Sequence, residues 1–101
     1  MKILKDIQKE IYNNKVNKGF NITNIEFEFC RAYGELSEAF EAYKNKMPTV
    51  GEELADVAIF LYGIAEILDY DLNQEILKKV ERNKSRVYGK IAADKIHESE
   101  E

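Results

Sequence analysis

One proline, five glycines, one cysteine, one histidine and no tryptophan occur among the 101 residues. So few chain breakers leave little room for the turns of a β-sandwich, and 45% apolar residues is too many for a disordered chain. The lone Cys30 has no internal partner, which excludes a disulfide framework and sets a reducing, cytoplasmic location as the expectation. A strong charge of one sign is also missing, since fifteen basic and nineteen acidic side chains leave a net −4. Phosphate neutralisation along a nucleic acid needs a basic surface, so no nucleic-acid partner is expected. Long apolar runs are absent too. The stretch from Met1 to Glu10 is interrupted by Lys5, Asp6 and Lys9 and does not read as a signal segment. The richest apolar stretch, Leu54 to Leu68, contains Asp56 and Glu66 and is too short and too charged to span a bilayer, so no membrane partner is expected.

What is present is helical spacing. Ile3, Ile7 and Ile11 mark one face of a first helix running to about Lys18, broken by Gly19-Phe20-Asn21. Thr23 with Glu26 reads as a capping box for a second helix. That helix carries Phe29, Tyr33, Leu36, Phe40 and Tyr43 as a continuous apolar stripe and should end at Met47-Pro48. Thr49 with Glu52 predicts the start of a third helix, whose apolar residues spread round so much of its circumference that burial against another subunit is expected. Asp71 with Gln74 predicts a fourth, running through Leu72, Ile76, Val80, Val87 and Ile91. Residues 1–92 therefore read as one all-α domain of four helices, and residues 93–101 as an acidic tail expected to fray.

The second helix holds Glu35-x-x-Glu38 and the third holds Glu53-x-x-Asp56. Side chains three residues apart on a helix converge on one side. The short connection through Pro48 and Gly51 predicts antiparallel neighbours, which brings all four acids to one end of a hairpin. Glu35 falls beside the apolar stripe, on a face with the small Ala32, Ala39 and Ala42, while Glu53 and Asp56 flank Phe60 and Ile64. Four carboxylates at a packing seam repel unless cations lie between them. All-oxygen ligation without histidine or cysteine favours Mg2+, with Mn2+ as a substitute. His97 sits far off in the tail, which argues against a di-iron bundle.

On the fourth helix Lys79, Asn83 and Arg86 share a stripe. Asn83 falls among Leu72, Ile76, Val80 and Val87, so an amide and two cations should point inward, a set suited to phosphate oxygens.

Together these motifs resemble the E-x-x-E … E-x-x-D signature of the MazG-like, all-α nucleoside triphosphate pyrophosphohydrolases. Gly34-Glu35-Leu36-Ser37-Glu38-Ala39 is followed by Glu52-Glu53-Leu54-Ala55-Asp56-Val57, then by Lys79-x-x-x-Asn83-x-x-Arg86 and Tyr88, so the likeness extends from about Ile7 to Tyr88. It implies a four-helix MazG-like bundle assembled as a dimer or dimer of dimers, with sites near subunit interfaces. It also implies Mg2+ held by Glu35, Glu38, Glu53 and Asp56, and hydrolysis of a nucleoside triphosphate to monophosphate and pyrophosphate. Glu38 takes the part of the residue that orients or deprotonates the attacking water, and Lys79, Asn83 and Arg86 contact phosphate. For the base, Asn14, Lys15 and Phe20 supply amide, cation and ring from the first helix and its loop. Tyr33, Tyr43, Phe60 and Tyr62 are assigned to the core, and Cys30 to buried or half-exposed packing. Two alternatives use the same residues: a nucleotide-binding helical dimerisation module without turnover, and a pyrophosphohydrolase of a phosphoribosyl-nucleotide.

Overall fold

The computed structural model describes residues 4–86. Within them lie four helices, α1 (Leu4–Asn17), α2 (Ile25–Lys44), α3 (Val50–Ile67) and α4 (Leu72–Ser85), and no strand. None of these helices is long and apolar enough to cross a membrane.

Capping follows the sequence in one case and departs from it in two. Asp71 caps α4 as expected, accepting from the Gln74 backbone N–H at 3.2 Å. The cap of α2 is Asn24 rather than Thr23, with its side chain accepting from the Phe27 N–H at 3.1 Å. Asn21 is the reason. Its side-chain oxygen takes the N–H groups of Thr23 and Asn24 and its amide donates to the Asn24 carbonyl, so the turn is already made and the helix begins one residue later. Thr49 does precede α3 but makes no side-chain cap bond. Its ψ of 9° departs from the extended backbone that aims a capping hydroxyl at the first turn.

The first three helices stop in the same way. Gly19, Lys46 and Asp69 take left-handed φ values of 71°, 58° and 67°. The next residues, Phe20, Met47 and Tyr70, donate back to the carbonyls of Lys15, Ala42 and Ala65, each at 2.8 Å. Pro48 is therefore not what ends α2, which has already stopped at Lys44.

The main packing is α2 against α3, with α1 laid on α3. The face of α2 that enters this seam is Glu28, Ala32, Glu35, Ala39 and Ala42, at steps of four, three, four and three. Facing it, α3 turns in Val50, Glu53, Val57, Phe60 and Ile64 by the same spacing. The bulky stripe expected to form the core lies one residue round the helix and is left outside: Phe29, Tyr33, Leu36, Phe40 and Tyr43 are 43–72% exposed. Tyr33 and Tyr43 are thus not core residues of the single chain, and Cys30 is exposed as well. Alanine side chains let two backbones approach closely, which rings do not. The small face closes the hairpin and the large one remains available.

Two polar locks tie α1 down. Gln8, 5% exposed, donates to Glu66 and to the Tyr70 carbonyl and accepts from the Leu72 N–H, so every hydrogen bond it makes grips the α3–α4 turn. Beside it Lys9 pairs with Glu66. At the other end, Glu28 is the most buried charged side chain, 2% exposed, and accepts from Lys15 at 2.7 Å and Asn21 at 2.9 Å. The Lys15 stem reaches Glu28 by crossing Gly63, where an added Cβ would already stand 3.4 Å from its Cδ.

The last helix packs on α1 and α3 but not on α2, and no residue of it is buried. Asn83 is therefore exposed instead of core-facing, because Ile76 and Val80, which share its face, are 46% and 44% exposed themselves. Val87, Ile91 and the acidic tail lie outside the described residues.

The buried pair yields a first prediction. Replacing Glu28 by Ala leaves the Lys15 ammonium without its anion in a sheltered position, at an expected cost of about 3 kcal/mol in urea unfolding. A loss below about 0.5 kcal/mol, the scale of an exposed pair, would show that this contact does not hold α1 in place.

Candidate metal centre

Glu35, Glu38 and Glu53 each offer one carboxylate oxygen, and the three oxygens lie within 4.8 Å of one another. Two come from the last half of α2 and one from the first turn of α3, so the hairpin itself gathers them. Ala39 and Ala42, buried beside them, set the close approach of the helices. The group is graded in exposure. Glu35 and Glu53 are half-buried in the seam, whereas Glu38 faces solvent.

Electrostatics record the crowding. The Glu53 carboxyl titrates above its ordinary value, first because its surroundings strip water from the charged form, then because Glu38, Asp56, Glu35 and Glu52 repel it. Asp56, expected as the fourth ligand, lies outside the tight trio and is exposed, though near enough to act on Glu53. The donor set would suit a hard divalent cation, being three convergent carboxylates with no nitrogen or sulfur among them and Glu38 facing solvent.

A half-buried surface runs from the trio along the same seam. One helical turn before Glu35, Arg31 makes a loose ion pair with it at 3.8 Å. Its guanidinium lies 5.1 Å from the Phe60 ring centre and 6.0 Å from that of Phe27. Beyond Phe60 opens a cavity of about 330 Å³ lined by Asn14, Lys15 and Phe20 together with Ile11, Ile59 and Phe60. The three residues expected to meet a base are thus assembled around one cavity. Lys15 is not a spare cation there, being committed to Glu28 while its ammonium sits 5.5 Å from the Phe60 ring centre.

Sequence reasoning passed over Arg31 and took Phe60 for core, and Phe60 does turn into the α2–α3 seam while also lining this cavity. Both carried a signal: Arg31 precedes Glu35 by four residues, and Phe60 follows Asp56 by four, so each extends an acidic position along its helix by one turn. The expected phosphate stripe is not brought onto the trio in the same way. Lys79 and Asn83 are exposed on α4, which does not touch α2, and Arg86 ends that helix half-buried. No family model, curated protein or solved structure matches the chain.

The raised Glu53 titration has a definite consequence for stability. In the unfolded chain Glu53 loses its proton at a lower pH than in the fold, so stability falls as pH rises through the folded titration and stays lowered above it. Glu53→Gln should therefore raise the thermal midpoint at pH 7 in EDTA, leave it unchanged well below the carboxylate range, and abolish any rise on adding Mg2+. A variant that melts at or below the wild-type temperature at pH 7 in EDTA would contradict the repulsion described here.

Proposed function

We propose that the chain is a Mg2+-dependent nucleoside triphosphate pyrophosphohydrolase that works as a homodimer or a dimer of dimers. The observation that carries this reading is the convergence of Glu35, Glu38 and Glu53 across the α2–α3 hairpin, with Phe60, two turns along α3 from Glu53, on the wall of a cavity that Asn14 and Phe20 also line. A triphosphate is the ligand whose two ends match that layout, with its anionic tail over cations held by acids and its base against rings. The order of the acidic motifs and their resemblance to the MazG-like family support the same chemistry.

Glu35 and Glu53 would hold the ion from within the seam, with Asp56 at the margin. Mg2+ so held supplies positive charge against phosphate oxygens and makes water more acidic. Glu38, the member facing solvent, is placed to accept a proton from water attacking the α-phosphorus. Phe20 offers a face for stacking, Phe60 forms part of the cavity wall beside it, and the Asn14 amide can read a base edge. Lys79, Asn83 and Arg86 are kept as contacts for the pyrophosphate end, presented from a second copy.

Support for that second copy comes from the stripe left outside α2 and from Ile76, Leu77 and Val80 on α4, all 44–56% exposed. A contiguous row of rings and leucine in water marks an interaction surface. Its self-association would cover α2 without disturbing the alanine face.

Two measurements test this. A panel of nucleoside triphosphates should release pyrophosphate and monophosphate only with Mg2+, and Glu38→Gln should lower kcat at least about 100-fold with helicity retained. Asp56→Asn should cost less than Glu38→Gln. Unchanged turnover in Glu38→Gln, or none in the wild type across the panel, would sink the reading. Separately, Leu36→Glu in the middle of the stripe should convert the sedimenting species to monomer, and a wild-type chain already monomeric at micromolar concentration would rule out the assembly.

A further inference from the structure

We propose that Arg31 binds the phosphate nearest the nucleoside, exchanging its pairing with Glu35 for that phosphate when the site is filled; this rests on the pyrophosphohydrolase reading. Arg31 lies on α2 one turn, about 6 Å, before Glu35, and Phe60 lies on α3 at the matching distance after Asp56. A nucleotide with its base against Phe60 and its tail over the acids must carry its first phosphate past the Arg31 guanidinium.

The present partners of Arg31 suit such an exchange. Its separation of 3.8 Å from Glu35 exceeds hydrogen-bond range, so the attraction is ionic and loose. The faces of Phe60 and Phe27 hold the planar cation from the side through its π contacts, leaving its N–H edge undirected. Among the described residues the guanidinium makes no hydrogen bond, although it carries five donors in a fork that matches two phosphate oxygens. Lys15, which lines one pocket together with Arg31, Phe27 and Phe60, is held by Glu28 and does not compete. Once the Glu35 carboxylate is engaged by a divalent ion its pull on Arg31 weakens, while the stacked guanidinium stays in place.

Arg31 thus helps the nucleotide and opposes the bare ion, because it competes for Glu35 when no phosphate is present. That opposition separates a binding role from a merely structural one. The probes are Mn2+ alone, followed by the resonance of the free ion, and the α,β-imido analogues of the four common deoxynucleoside triphosphates, followed by calorimetry with Mg2+. Arg31→Ala should weaken the best-binding analogue about 10- to 100-fold and tighten bare Mn2+ about twofold. Arg31→Lys, which keeps the charge without the fork, should fall between wild type and Ala for the analogue. Equal analogue affinity in wild type and Arg31→Ala would overturn the proposal while leaving the proposed function intact, and so would a parallel weakening of Mn2+ and analogue. A wild-type chain that holds Mn2+ yet binds none of the analogues would overturn the proposed function and this assignment with it.

Discussion

Like-charge repulsion between Glu53 and the Glu35/Glu38 pair exists because Ala39 and Ala42 bring α3 close to α2. With larger side chains at those two positions the helices would stand apart, the acids would spread into solvent, and Glu53 would have no reason to titrate high. The same close approach fixes the rest of the seam. It puts Phe60 beside Arg31, and it turns Glu28 inward at the far end, where only a buried cation reconciles it with its surroundings. Packing energy from the hairpin is thus spent on holding charges together, which is the condition for an ion or a phosphate to be drawn in.

This choice of face has a second result. A helix has one circumference, and α2 gives its small residues to α3, so its rings and Leu36 must go elsewhere. The last helix, α4, has no buried residue at all. Apolar surface of this extent lowers free energy when covered, at roughly 25 cal/mol per Å², and the hairpin offers the α2 stripe no cover. The acids and the stripe therefore occupy adjoining sides of one helix, so an assembly built on the stripe would set the acids at its rim.

Much of this was legible in the sequence, and the failures share a cause. Helix spacing, the Asp71 cap and the gathering of Glu35, Glu38 and Glu53 depend on residues close in sequence or on one short connection, where local geometry decides. The placing of Glu35 on the alanine side was also readable from the wheel. What periodicity does not contain is which of two adjacent stripes meets its own chain and which is left outside. Hydrophobicity favoured Phe29–Tyr43, whereas steric closeness selected Ala32–Ala42. Asn83 was misread for the same reason, since an apolar neighbourhood on a helix is not burial unless something covers it. The tertiary bonds of Gln8 and Asn21 were not readable because their partners, Tyr70, Leu72 and Glu28, become neighbours only after folding.

The two ends of α3 show how the fold tolerates a repulsive site. At the C-terminal end Glu66 titrates below its ordinary value, chiefly through its hydrogen bond from Lys9, so its charged form favours the folded chain above the carboxylate range and that contribution is lost on acidification. Glu53, near the N-terminal end, behaves in the opposite sense. Acid thus relieves one end of the helix while loosening the other. Gln8 strengthens the favourable end by tying α1, Glu66 and the α3–α4 turn into one unit. The strained end is left with carboxylates and an arginine that, among the described residues, holds Glu35 only loosely, at 3.8 Å. Stability is concentrated where no ligand is expected, and the crowded carboxylates lie where one is.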